Sequence, residues 1–548
     1  MKLHSPPPLA SRRLNPGKTS FWILCLLLLV LIVGHAWVAE DAFITFRVVD
    51  NAVHGYGLRW NVDERVEVFT SPLWLLLHLP IRALHPNIFL GTIVFSVLCA
   101  GAAVAFAARS ASKSRGVTAV TLILPLVLSK GFLEFSTSGL ENPLSFLLAA
   151  LFSWILLTRG RRPEATPWFG LTCIASLATV NRMDTVLVYL PALGYLLFTR
   201  RRHVRWAAIL GGALPFLAWK AFSLLYYGFP FPNTAYAKLG TGLSRWVYAK
   251  QGLFYLLDFP RRDPAAFLVT ATVAAGVVVA LARRRGGILT FLGLGALAYG
   301  AYVVSIGGDF MTLRFWSLPF FLSIIILHAV MPTHASARRL AAIAVCLGGA
   351  KLATVWTEPA VTVQGNSVQR VWQSIEDERL AYVEGHALFS FRREPRFRLS
   401  APPVEPVSPR VVMWWAVGLK PYMSGPQTVV VDAVGLADPL LARLPALRRE
   451  TLFIGHFRRG IPRGYMEARL TENWSYIADD NLRQYYEKLR IITAGPLFQR
   501  ERWRTILAFH RGRYEALRRK FLASEEPYAP VEDGKWLFLK KPDGSQEP

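Results

Sequence analysis

The stretch FWILCLLLLVLIVGHAWVAEDAFITFR, Phe21 to Arg47, decides how the rest of the chain is read. From about Ser20 to Ala39 it holds no acid, lysine or arginine, and a helix of roughly 20 apolar residues crosses a bilayer core. The run stops at two adjacent carboxylates, Glu40 and Asp41. Arg12, Arg13 and Lys18 precede it. Basic flanks stay on the cytoplasmic side, so a retained helix puts the N-terminus in the cytoplasm and both acids outside. A cleavable signal peptide shares the basic start, but this window is long and leads into acids instead of a small-residue cleavage site.

The composition agrees with a chain of many spans. Of 548 residues, 53% are hydrophobic and 13% aromatic, and the mean hydropathy of +0.32 is too high for an ordinary soluble domain. A formal charge of +26 invites a nucleic-acid partner. Much of it, however, sits in short runs between apolar windows, and no basic-aromatic binding module is present, which argues against nucleic acid. Cys25, Cys99, Cys173 and Cys346 all lie in apolar segments without metal-ligand or disulfide spacing, so they read as small buried hydrophobes.

Further apolar windows fall near 87–108, 116–131, 143–158, 166–181, 185–199, 205–227, 264–282, 286–305, 315–332 and 338–356. PLWLLLHLPIRALHP (72–86) is short and holds Pro80 and Arg82, so it reads as an interfacial or re-entrant helix. The expected count is about eleven membrane helices. Parity supports it: RSASKSR (109–115), RGRR (159–162), RRRHVR (200–205), RRR (283–285) and RR (338–339) then all fall in the cytoplasm. The opposite face collects EDAFITFR (40–47), TSGLENP (137–143), NRMD (181–184), GFPFPNTAYAK (228–238) and GGDFMTLR (307–314). Residues 1–356 thus form the membrane domain, with a first outer loop at 40–86. Residues 357–548 carry no span and read as a soluble α+β domain on the outer face. In it TVVVDAVGL (428–436) alternates like a strand entering a turn, and NLRQYYEKLRIITAGPLF has helical spacing that ends at Ala494-Gly495-Pro496.

Ionisable residues at membrane depth are costly and usually functional or paired. On the outer face they are Glu40, Asp41 and Arg47, Glu141, Arg182 with Asp184, Lys238, and Asp309 with Arg314. A carboxylate at headgroup level suits transfer of a sugar from a polyprenyl phosphate, where an acceptor hydroxyl loses its proton as it attacks. The departing phosphate needs cations or a metal. Asp41 or Glu40 would be the base, with Lys238, Arg182, Arg314 and Arg47 as phosphate ligands. For the arginines the structural alternative is an ion pair, Arg182 with Asp184 and Arg314 with Asp309. Glu40, Asp41 and Asp309 also offer oxygen ligands to a hard cation such as Ca, Mg or Mn, although no metal motif fixes one.

Taken together, these loops resemble a known family. EDAFITFRVVDNAVHGYGLRWNVDERVEVFTSPLW (40–74), TSGLENPL, NRMD, YYGFPFPNTAYAK, GGDFMTLR, VVVDAVGLADPLLAR (429–443), Gly455-His456 and LRQYYEKL (482–489) follow in the order of GT-C membrane glycosyltransferases. The chain is similar to those of the mycobacterial terminal β-(1→2)-arabinofuranosyltransferase type. The resemblance implies a GT-C fold in a bacterial inner membrane, with the active site and C-terminal domain in the periplasm. It also implies a polyprenyl-phosphate donor, arabinofuranose first, and a glycan, lipopolysaccharide or protein acceptor. It assigns Asp41 as the base with Glu40 orienting it or binding a metal. Arg47, Arg182, Lys238, Arg314, Asn233, Glu141, Asp184 and Asp309 fall to the donor, and Asp432 and His456 to the acceptor side. Two departures stand out: Glu40 replaces a common aspartate, and Met183 replaces the usual proline of Arg-Pro-Asp. Another lipid-linked sugar, such as mannose or aminoarabinose, fits the same architecture. A lipid-linked-sugar flippase fits less well, since it would place its charges mid-membrane in broken helices, and a scaffold subunit leaves the one-sided charges without a role.

Overall fold

The computed structural model describes residues 16–159, 163–358, 362–364, 367–369, 371–389, 411–447, 453–524 and 528–529. Among the described residues the chain is mostly helical, and its strands form three two-stranded sheets. Each of the eleven apolar windows contains helix, from Pro16–Gly34 to Ala337–Leu352. By length and composition, however, five helices among the described residues qualify as membrane spans: 17–34, Ile88–Arg109, Trp206–Tyr226, Pro264–Ala282 and Ile288–Ser305. Six more apolar helices have 10–17 residues, and these include Pro72–Leu84. Ala337–Leu352 meets neither description, because Arg338, Arg339 and Lys351 lower its apolar content.

Lipid-facing character is plain on the first helix, where Trp22, Ile23, Leu26 and Val30 are exposed. Inside the bundle, glycines let backbones approach closely. A Cβ on Gly212 would sit 1.9 Å from Thr172 Oγ1, and one on Gly295 would sit 2.0 Å from the Val188 carbonyl oxygen. Helix Trp206–Tyr226 packs on Trp168–Asn181 and Ile88–Arg109 on Asn142–Thr158. These contacts gather at one end of the bundle the turns ahead of Ala42–Val53, Asn142–Thr158 and Ser317–Val330, together with the turn after Trp168–Asn181.

Residues 371–389 form a strap across that end. A short hairpin, Val371–Trp372 with Ile375–Glu376, leads into helix Glu378–His386. Glu376 N donates to Phe310 O (2.6 Å), and Thr312 N donates to Glu376 O (2.9 Å). At the other end Val38 N donates to His386 O (3.0 Å) and Leu388 N to Ala36 O (2.8 Å). The strap is thus stitched to the loop that holds Asp309 and to the turn that leads into Glu40. Its Ile375 belongs to the main membrane core.

Beyond the strap lies a lobe built on a parallel strand pair, Val411–Trp414 with Val429–Asp432, and on helices such as Asp480–Thr493 and Arg500–His510. The strand and turn expected at 428–436, and the helix expected to end before Gly495, are both present. The lobe has its own apolar core of Val411, Val431, Tyr465, Tyr486 and Leu489, among others. Val412, Val430 and Val434 instead point into the main core. Asn61 exchanges two hydrogen bonds with the Val430 backbone (2.9 and 3.0 Å), while Arg490 meets Asp63 (3.0 Å) and Arg469 meets Glu64 (3.2 Å). The first outer loop is therefore the surface on which the lobe docks.

Candidate active site

Glu40 and Asp41 are neighbours in sequence with different surroundings. Glu40 Oε1 accepts from the backbone N–H of both Gly418 and Leu419, each at 2.8 Å. Those amides open the short helix Leu419–Met423, so Glu40 satisfies donors that a helix start otherwise leaves unpaired. Gly418 lies so close that a Cβ there would stand 2.0 Å from the Glu40 carbonyl oxygen. Burial, and next the charge of Asp41, push the Glu40 carboxyl up to about 7. Asp41 occupies the N-cap position of helix Ala42–Val53 but its side chain caps nothing. It is 24% exposed, and Arg314 Nη1 is 3.9 Å away.

Below Asp41 runs a chain of alternating charge. Asp184 meets Arg182 (2.9 Å), Arg182 meets Glu141 (2.7 Å), Glu141 meets Arg314 (3.4 Å), and Arg314 meets Asp309 (3.2 Å). Both arginine–acid pairs raised as the structural alternative are present. Phe315 lies between the two guanidinium groups, at 4.3 Å from Arg182 and 5.5 Å from Arg314. The sequence spreads these residues over three loops, and the bundle brings them into one buried network with Asp41 at its rim.

Lys238 enters from helix Asn233–Leu239. It faces Asp309 and Asp41, with Arg314 and Arg182 behind them, and burial lowers its pKa against the pull of those acids. Among the described residues its Nζ has no ion pair or hydrogen bond. Gly455 gives it room, since a Cβ there would lie 3.1 Å from Nζ. The next residue, His456, sets its ring edge-on to Phe310 at 4.4 Å and faces Asp41 and Lys238; burial lowers its pKa.

Three of the expected site residues stand elsewhere. Arg47 is 2% exposed, and its guanidinium donates to the carbonyls of Trp60 (2.8 Å), Thr428 (2.8 Å) and Pro421. With its donors aimed at backbone, it joins the outer loop to the lobe and does not reach the Lys238 cluster. Asn233 Nδ2 donates to Gly435, Leu436 and Asp438 carbonyls at 3.0–3.1 Å, and its Oδ1 accepts from Arg443 (3.2 Å). Asp432 accepts from Val434 N (2.8 Å) and Ala437 N (2.7 Å), folding its own turn; burial raises its carboxyl to about 7.

Sequence reasoning passes over the strap. Asp377 of the strap meets Lys130 (3.0 Å), which also pairs with Glu134 (2.6 Å), and Arg262 (3.9 Å), so buried charges anchor the strap to the bundle. Nothing in the mixed-charge run SIEDERL (374–380) marks Asp377 or Glu378 as interior. Among the described residues, no group of three or more His, Cys, Asp or Glu is placed to hold a metal ion.

Residues 74–225, which include Glu141, Arg182 and Asp184, match the family model described as dolichyl-phosphate-mannose-protein mannosyltransferase. A terminal beta-(1->2)-arabinofuranosyltransferase of Mycobacterium tuberculosis is 29% identical over 266 residues, 45% of this chain and 42% of that protein. Its counterpart of the same name in Corynebacterium glutamicum is 26% identical over 401 residues, 64% of this chain and 55% of that protein. The chain thus spans about half the length of these relatives. No solved structure matches. On these comparisons the chain is similar to membrane glycosyltransferases of the GT-C kind, and within them to arabinofuranosyltransferases.

Proposed function

We propose that the protein transfers a pentose, arabinofuranose, from a polyprenyl phosphate to a cell-envelope glycan at the outer face of a bacterial inner membrane. The observation that carries this reading is the division of labour at the acidic pair. Glu40 is occupied by two backbone amides, while Asp41 is partly exposed above a buried network of alternating charge with Lys238 beside it. Asp41 takes the proton from the attacking acceptor hydroxyl. The acceptor oxygen bonds to the anomeric carbon as the bond from that carbon to the phosphate oxygen breaks, and the phosphate leaves with the electron pair. Lys238, which no carboxylate pairs among the described residues, meets its charge. Arg182, tied to two acids, and Arg314, tied to three, hold the pocket wall.

In this reading eleven helices cross or enter the membrane, and the N-terminus is cytoplasmic. Residues 357–548 lie outside, and the lobe helps bind the acceptor. The family match over 74–225 favours mannose as the second candidate sugar. The deciding experiment supplies the purified protein in vesicles with a panel of polyprenyl-phosphate sugars and measures release of polyprenyl phosphate. Consumption of the arabinofuranosyl lipid is expected. Consumption of the mannosyl lipid alone overturns the sugar assignment, and movement of an intact lipid across the bilayer without cleavage overturns the transferase.

A further inference from the structure

The strap carries an acid that the chemistry above leaves unused. Glu378 opens helix Glu378–His386, and the N-cap role belongs to its neighbour Asp377, whose Oδ1 accepts from Leu380 N (3.2 Å). Backbone pairing to Phe310 and Thr312 on one side, and to Ala36 and Val38 on the other, fixes where Glu378 stands. Its side chain adds nothing to that anchoring. Glu378 is 5% exposed, yet among the described residues its carboxyl makes no hydrogen bond or ion pair. Its oxygens are not among the enclosed unpartnered atoms, so this carboxyl opens to the cleft and can bond a molecule that enters it.

The groups that face it identify what that partner is. They are Asp41 and Glu40 from the first outer loop, Asp309 from the 307–314 loop and Glu376 from the strap itself, with Tyr382 one turn along the helix. Burial first, and then these like charges, hold the Glu378 carboxyl well above the ordinary carboxylate range. The surrounding acids suit neither a phosphate nor, with no three of them placed to hold a metal ion among the described residues, a bound cation, whereas a carboxyl can accept from a hydroxyl and, when protonated, donate to one. We infer that Glu378 is a substrate-binding residue of the Asp41 cleft, its carboxyl hydrogen-bonding a sugar hydroxyl of the donor pentose or of the acceptor glycan. The inference rests on the transferase reading of the same cleft.

The test compares Glu378→Gln and Glu378→Ala with wild type, using the full-length protein, a polyprenyl-phosphate arabinofuranosyl donor and an arabinofuranosyl oligosaccharide acceptor. Glutamine keeps a neutral donor and acceptor, so kcat/KM stays within about threefold, whereas alanine lowers it by about 10- to 100-fold. Singly deoxygenated donors and acceptors then identify the source: wild type and Glu378→Ala become equal on the one analogue that lacks the bonded hydroxyl. A loss of the same size on every deoxy donor and acceptor overturns the inference, as does an alanine variant equal to wild type. Because the carboxyl has no partner among the described residues, the Tm of both variants matches or exceeds that of wild type, and a clear fall overturns the inference by showing a structural contact. A wild type that turns over no lipid-linked sugar refutes the transferase reading instead. In that case the oligosaccharide alone is the probe: stabilisation of wild type but not of Glu378→Ala upholds the inference, and equal shifts overturn it.

Discussion

Replacing Glu40 separates a structural acid from a catalytic one. Glu40 Oε1 accepts both N–H bonds at 2.8 Å, so Glu40→Ala leaves two buried donors unpaired. At about 1–3 kcal/mol for each, the cost is about 2–6 kcal/mol, borne where Leu419–Met423 docks on the outer loop. Glutamine presents a carbonyl oxygen at the same place and keeps both bonds. Hydrogen–deuterium exchange followed by mass spectrometry over residues 417–423 measures the difference. Since about 1.4 kcal/mol is a factor of ten, exchange at the Gly418 and Leu419 amides rises at least about thirtyfold in Glu40→Ala and little in Glu40→Gln. A pH dependence accompanies this. The folded-state pKa is raised from 4.5 to about 7, so the docked state binds more protons than the open one. Docking is therefore firmest below about pH 4.5 and weakens as pH rises towards 7, by about 1.4 kcal/mol per unit at most. Glu40→Gln removes that slope. Unchanged protection in Glu40→Ala refutes the tether. A Glu40→Gln variant that docks normally but transfers no sugar refutes the assignment of Glu40 to structure.

Two further substitutions separate phosphate binding from architecture. Lys238→Met removes a cation that has no ion pair among the described residues, so stability holds while the donor KM rises by about tenfold or more, with partial recovery in Lys238→Arg; steady-state kinetics on the lipid-linked donor check this. Arg47→Met strips donors from three backbone carbonyls and costs about 2–4 kcal/mol. Its Tm falls with donor KM unchanged in the folded fraction, and a normal Tm with raised donor KM would return Arg47 to the phosphate.

The parts of this fold that were legible in sequence are those set by local chemistry. Uncharged runs such as 264–282 predict helices, and TVVVDAVGL predicts a strand and turn, because burial of an apolar face follows directly from spacing. The same reasoning collects Glu141, Arg182, Asp309 and Arg314 on one face, and their ion pairs follow once the helices pack. It does not find helix Arg245–Arg262, whose apolar residues are interrupted by Lys250, Asp258, Arg261 and Arg262. Nor can it rank Glu40 against Asp41, because the deciding partners, Gly418 and Leu419, lie in a remote segment. Arg47 shows the same limit: an arginine beside an acidic pair reads as a phosphate ligand until the carbonyls of Trp60, Pro421 and Thr428 surround it. Glu378 has no local signature, since its burial comes from backbone pairing of the strap to residues 36–38 and 310–312.

The most direct test of the central claim is the transfer rate of Asp41→Asn measured beside Glu40→Gln, at matched protein level and Tm, with the arabinofuranosyl lipid as donor. A general base contributes about 10²–10⁴ in rate. The account predicts a loss of at least about a hundredfold for Asp41→Asn while Glu40→Gln keeps most of its activity. Asp41→Asn transferring sugar at a rate comparable to wild type would contradict it.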